Sequence, residues 1–318
     1  MIEKKQNKKI YFEIMRIIAA FLVIFNHLPG YSLYYVSHGY KQWIYMFITM
    51  ITRINVPIFF MISGALLLSK QETVKDVLCK RFIRMFILLL IFCLIMCFEG
   101  MVLGYRSTGE FEFNLRAFLT AFLSGNVGGT GAYWYIYSYL GFLLLLPYMR
   151  SIARNMDDQM FFLLIFLHAC IFSIVPLINL IGQCQSVKWA ISLESHFMIP
   201  IATEKAFFYP LVGYYIDKID LKAIKKKTAY FAIFLTMFLI FVESLCTYVE
   251  FMQYGEMTQN YVQMFDYLIS IVTFLLIKKI ALNSSYIENQ YIQRVILEIG
   301  GGNIDYLLDG SVLQISYL

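Results

Sequence analysis

Three ionisable residues stand in the first apolar segment, where withdrawing a charge from water is expensive and makes each of them a functional candidate by default. Glu13, Arg16 and His27 all fall in the stretch Tyr11 to Leu28. Arg16 and His27 are eleven residues apart, which on a helix is about 1,100° of rotation, roughly 20° from eclipsed, with a rise of ~16 Å. They therefore share one face at depths about half a membrane apart. Glu13, three residues before Arg16, lies on that same face within pairing reach. An imidazole, with an ordinary pKa of about 6.5, takes a proton from an alcohol at neutral pH, so His27 reads as a general base. Arg16 offers a planar fork that suits an anionic group such as phosphate. The plainer alternative is a salt bridge at the inner headgroup level and a histidine at the outer one.

Other residues invite the same double reading. Lys80-Arg81-x-x-Arg84 places two guanidinium groups one helical turn apart, either to meet an anion or to set topology. Pro57 and Ser63-Gly64 interrupt an apolar run, as a kink and a close helix contact would. Tyr133, Trp134, Tyr135 and Tyr137 form either a ligand platform or an interfacial aromatic belt. His168 and Glu243 lie in apolar runs and Glu204 stands beside Lys205; satisfied polar groups where helices pack are the default for these. The six cysteines show no CxxC and no cluster with metal-ligand spacing, so metal and redox chemistry are unsupported. Cys93 and Cys97 read as small packing residues.

The elements that must position these groups follow from composition. Hydrophobic residues make up 60% of the chain and charged residues 15%, well under the roughly 25% of a soluble domain, and mean hydropathy is +0.66. The apolar residues come in runs of about 18 to 25, long enough to cross a ~30 Å hydrocarbon core as helices. The expected spans are Tyr11 to Leu28, Trp43 to Leu68, Phe82 to Leu103, Tyr133 to Met149, Met160 to Ile181, Ile199 to Ile216, Ala229 to Cys246 and Val262 to Ile277, with an incomplete run after Gly302. The basic residues ahead of Tyr11 resemble a signal peptide, but Glu13, Arg16 and His27 do not suit its apolar region and no small-residue cleavage site follows, so this segment reads as a permanent helix.

With the N-terminus inside, 19 of the 26 Lys and Arg residues fall in inner segments and five in outer ones, while Arg16 and Arg53 lie within spans. That asymmetry predicts a cytoplasmic N-terminus. The longest outer loop, Gly104 to Ala132, contains Phe111 to Leu123, which reads as an interfacial amphipathic helix ending at Ser124-Gly125-Asn126 and is a possible tenth helix. The expected fold is all-α, a polytopic transmembrane bundle of nine to ten spans forming one membrane-embedded domain over residues 1–318.

Taken in order, these segments resemble the acyltransferase-3 family of membrane acyltransferases. Glu13-x-x-Arg16 with Arg16-x10-His27 is similar to its first helix. Pro57-Ile58-Phe59-Phe60-Met61-Ile62-Ser63-Gly64 is similar to its Pro-x-Phe-Phe-x-x-Ser-Gly segment. Lys80-Arg81-x-x-Arg84 resembles its basic motif, and Tyr133 to Tyr137 with Pro147 its Trp-containing fourth span. The resemblance covers about the first half of the chain. It implies an acyl-CoA co-substrate from the cytoplasm, with acetyl-CoA the first expectation, no bound cofactor, and a hydroxyl acceptor on a cell-envelope glycan or lipid-linked sugar at the cell membrane. It maps His27 onto the essential histidine, Arg16 onto its partner arginine with Glu13 beside it, and Arg81 and Arg84 onto the side where CoA phosphates arrive. Ser63, Tyr133 and Trp134 are then expected to bind substrate.

Two departures accompany the resemblance. Ala132 stands where many members carry a histidine. After Gly302 the chain has Asp305 and Asp309 in place of an aromatic-rich segment and its histidine, so the end is expected to be truncated or atypical. Two other functions compete: a transporter or flippase of a glycan intermediate, needing a polar path but no base, and a scaffold for other envelope enzymes. Nothing points to nucleic acid.

Overall fold

A computed structural model of the chain describes residues 2–26, 40–109, 111, 113–127, 133–184, 199–221, 225–254, 263–284 and 289–301. Lipid offers no partners for open backbone groups, so apolar runs close their hydrogen bonds internally as helices. The described residues contain no strand. The helices are α1 (Ile2–Asn26), α2 (Tyr40–Thr52), α3 (Asn55–Leu67), α4 (74–108), α5 (Leu115–Leu123), α6 (Trp134–Asn155), α7 (158–184), α8 (Pro200–Thr203), α9 (Lys205–Lys218), α10 (Lys226–Tyr254), α11 (Asp266–Asn283) and α12 (Gln290–Gly301).

Among the described residues each of the first eight expected spans is helical over most of its length, the sixth being broken at Glu204, and the ninth, after Gly302, lies outside the described residues. Among the described residues, five segments are long and apolar enough to cross a bilayer: Met46–Leu67, Val74–Ser107, Trp134–Asn155, Asp158–Gly182 and Lys227–Met252. The protein is thus an all-α polytopic bundle. Its apolar segments are used differently, since Met46–Leu67 is 72% buried and Val74–Ser107 only 17%. The first is a central element; the second turns most of its surface outward, as a lipid-facing helix does.

Local chemistry sets the boundaries. The expected span Trp43 to Leu68 is two helices, broken at Arg53 and Ile54. Pro57 lacks the N–H that would bond back to Arg53, and proline fits most easily in the first turn of a helix, where α3, restarting at Asn55, places it. At the start of α4, the Thr73 hydroxyl accepts from the Asp76 backbone while the Asp76 side chain accepts from that of Thr73, a capping box. The helix then passes through a π-helical turn, Val77–Phe82, that carries Lys80 and Arg81. The amphipathic helix expected between Phe111 and Leu123 is α5: Asn114 caps it by accepting from Ala117 N at 3.0 Å, and Gly125, at φ 72°, follows its end. Phe118 and Phe122 face inward, while Leu115, Leu119 and Leu123 face out.

The centre of the bundle is the crossing of α3 and α9. A Cβ added to Gly64 would strike the Pro210 backbone, and one added to Gly213 would strike that of Met61. Two glycines set against each other's chains let the two helices approach closely, the way small residues hold membrane helices together. Helix α1 lies along α3, α11 and α12. Its Tyr11 hydroxyl donates to Asp217 at the end of α9. Lys278 of α11 donates to the carbonyls of Ile216, Asp217 and Ile219 at 3.3, 2.7 and 2.9 Å, capping the same helix end.

Candidate functional site

The stripe on α1 is present in its first two members. Glu13 is buried and Arg16 half-buried, and Arg16 Nη1 donates to Glu13 Oε1 at 2.6 Å. Gly300 of α12 closes over this pair, since a Cβ there would stand 2.8 Å from Glu13 Cβ. His27 lies outside the described residues. The residue before it, Asn26, meets the Thr52 hydroxyl at 3.5 Å. The far end of α1 therefore abuts the α2–α3 break.

A second polar group gathers at the opposite end of the bundle, around the loop between α3 and α4. Arg81 reaches Glu72 with both arms of its fork, Nε to Oε2 at 3.1 Å and Nη2 to Oε1 at 2.7 Å. Arg150 of α6 donates from Nη2 to the same Glu72 Oε2 at 2.8 Å, from Nη1 to the Glu72 carbonyl at 3.1 Å and from Nε to the Leu67 carbonyl at 3.1 Å. Thus Arg81, bound to Glu72, is partly enclosed, and Arg84, one turn on, is exposed. Neither Arg150 nor Glu72 belongs to a motif that would single it out in the sequence.

The Glu72 carboxyl is held down at about 2, against an ordinary 4.5, chiefly because Arg81 donates to it; partial burial works the other way, and Arg150 adds to the lowering. A carboxyl depressed in the folded state contributes stability that is complete above the unfolded value and lost as pH falls through the folded one. The gap in Tm between the wild type and Glu72→Gln is therefore expected to be constant above about pH 4.5 and to close toward about pH 2. A gap that ignores pH would mean that the arginines do not stabilise the ionised form. Two guanidinium groups on one carboxylate also make a site prepared for oxyanions.

The aromatic group lies at the start of α6. Tyr133 is buried, whereas Trp134 is 46% exposed. Tyr135 packs on Phe60 at 5.0 Å between ring centroids. Ser63 is half-buried on α3 beside Gly64. From Trp134 to Arg150 is sixteen residues of one helix, about 24 Å. The candidate residues therefore form two groups at opposite ends of α6, joined by an apolar body.

Sequence reading missed a third group. Lys205 was expected to be neutralised by Glu204, but Glu204 is exposed and Lys205 Nζ lies over the Trp134 ring, 5.8 Å from its centroid. Lys205 is also within electrostatic reach of Asp266 and of Arg53 at the α2–α3 break. Glu243 of α10 accepts from Phe265 N at 2.9 Å and feels both Asp266 and Arg53. Nearby, His168 is buried, its Nδ1 2.6 Å from the Ala202 carbonyl and its ring stacked on Phe208 at 3.7 Å. The packing role expected of His168 fits that enclosure, whereas Glu243 belongs to a buried cluster of charges. The available signal was the presence of Arg53, Glu243 and Asp266 within apolar runs.

One family profile, described as an acyltransferase domain, matches residues 9–296. No curated protein and no solved structure matches the chain.

Proposed function

The chain belongs to the acyltransferase-3 family and is an acyltransferase with membrane-spanning helices, and from that premise we propose that it is a membrane-bound O-acyltransferase of the cell membrane. In this reading it moves an acyl group, acetyl first, from cytoplasmic acyl-CoA to a hydroxyl of a cell-envelope glycan or lipid-linked sugar. The observation that supports it is the placing of arginines at one end of α6 and of Trp134 with Lys205 at the other. A donor rich in phosphate and an acceptor rich in hydroxyls need such unlike surroundings.

Arg81 and Arg84 meet the CoA phosphates, with Arg81 exchanging the Glu72 carboxylate for a phosphate oxygen. Arg16, held by Glu13, orients the incoming chain. Ser63 and Tyr133 line its path, and Trp134 receives the acceptor. His27 takes the proton from the acceptor hydroxyl as its oxygen attacks the thioester carbonyl; the C–S bond breaks and the CoA sulfur leaves with a proton. Transfer through an acyl-enzyme intermediate divides the same bond changes into two steps.

The test is free-thiol release from acetyl-CoA by the purified protein. Release that rises severalfold on addition of an envelope-glycan extract, with the label of acetyl-labelled CoA recovered on the glycan, is the expected result. Absence of release with the extract present, by protein that is folded and monodisperse, would overturn the reading in favour of transport.

A further inference from the structure

The loop 68–73 between α3 and α4 holds one carboxylate between two guanidinium groups, and the two are anchored differently. Arg150 donates from Nε and Nη1 to the backbone carbonyls of Leu67 and Glu72, and from Nη2 to the Glu72 side chain. Taking the carboxylate away leaves Arg150 the two bonds that hold the loop. Arg81 instead turns both arms of its fork to the carboxylate, Nε to Oε2 and Nη2 to Oε1. It stands in the π-helical turn Val77–Phe82, an irregularity often found at functional sites. Arg150 therefore fixes where Glu72 stands, and Glu72 in turn fixes Arg81.

Water reaches this place. The Glu72 side chain is 24% exposed, and Gln71, Thr73 and Lys75 around it are exposed as well. Lys80 is paired with Asp76 at 2.7 Å, so two guanidinium charges set against one carboxylate leave the group positive. An anion arriving from water is attracted, and what stands in its way is the carboxylate in the fork. A carboxylate and a phosphate use the same parallel donors of an arginine, so that one excludes the other. A carboxylate tethered beside the fork competes at a high effective concentration, which a free singly charged anion does not match. A phosphate brings more charge and more acceptor oxygens than one carboxylate, and can displace it.

We propose that Glu72 is a tethered competitor for the donor's phosphate. Retained by Arg150, its carboxylate occupies Arg81 before the donor arrives, gives way to acyl-CoA, and takes Arg81 back as spent CoA leaves. Arg150 is then a positioning residue that acts through Glu72. The apparent affinity of a ligand is its intrinsic affinity reduced to the fraction of protein in which Arg81 is open, so the carboxylate weakens donor and product alike and hastens release. The inference rests on the reading in which Arg81 meets the donor's phosphates. It goes beyond that reading in making a loop carboxylate, and not the arginines alone, the part that sets affinity.

The experiment is calorimetric titration of CoA into purified full-length wild type, Glu72→Gln and Glu72→Ala, with and without Arg81→Ala. Both substitutions at Glu72 remove the charge and keep the backbone carbonyl that Arg150 holds. CoA is expected to bind about tenfold tighter to each than to wild type, with KM for acetyl-CoA falling in step and kcat not rising. A carboxylate that merely braced Arg81 would give the opposite sign, because its loss would loosen the fork and weaken CoA. In the Arg81→Ala background, removing the Glu72 charge is expected to change CoA affinity by less than about twofold. The competitor is overturned by folded variants that bind CoA no tighter than wild type, or by equal tightening without Arg81, which would be a general effect of charge. Failure of both Glu72 variants to fold overturns it too, since a carboxylate that the fold cannot lose is not exchangeable. Tighter CoA with no thiol release from any of the proteins removes the acyl-transfer reading and leaves the competitor. Thiol release with CoA affinity indifferent to Glu72 does the reverse.

Discussion

Replacing His27 with alanine is expected to lower acceptor-dependent thiol release from acetyl-CoA by about 10²- to 10⁴-fold, the usual contribution of a positioned general base. An alcohol is a poor nucleophile until its proton is removed, and of the three ionisable residues in the first apolar segment His27 is the one suited to remove it. The loss should fall on turnover, because the base acts as the O–H bond breaks and contributes little to holding acyl-CoA. Thermal stability and CoA affinity are expected to stay near wild type. A His27→Ala protein with unchanged turnover would exclude the base assignment and leave positioning to carry the rate. One that loses turnover together with stability would show that His27 acts through packing.

Adding a single methyl group at Gly64 or Gly213 is expected to cost about 1–3 kcal/mol or more. The reason lies in what the new Cβ meets. At Gly64 it runs into the Pro210 backbone and at Gly213 into that of Met61. A flexible side chain would swing away, but a backbone inside a helix moves only if the helix moves. Relief therefore means parting α3 from α9 along the centre of the bundle, which disturbs every helix packed on them. Gly64→Ala and Gly213→Ala should each lower Tm by several degrees or fail to give monodisperse protein. Gly141→Ala in α6, where a Cβ meets nothing within 4 Å, should lie within about 0.5 kcal/mol of wild type. Equal effects at all three would mean that the crossing does not hold the bundle.

These outcomes bear on different parts of what the chain makes legible. The helix α5 and its Asn114 and Gly125 ends follow from local pattern, because caps and amphipathic spacing act over a few residues. The Glu13–Arg16 pair is of the same kind, since three residues along a helix put two side chains on one face whatever surrounds them. The break after Thr52 could be anticipated as a kink from Pro57. The two arginines of the basic motif look alike in sequence, yet one is clamped to Glu72 and the other is exposed. Periodicity states that they share a helix; it does not state what comes to meet them.

By itself, then, the amino-acid sequence determined the properties that arise from neighbours along the chain: eight apolar runs that become helix, their caps, the polar stripe on α1 and the order of motifs that marks the family. The tertiary structure alone decided which charges meet. Glu72 and Arg150 are 78 residues apart, and Arg53, Lys205, Glu243 and Asp266 come from four separate helices or breaks. The physical reason is that nearly uniform apolar helices carry little record of which face turns to lipid and which to another helix. That choice is made by packing, through contacts such as Gly64 on Pro210, and the buried charges find their partners only after it has been made.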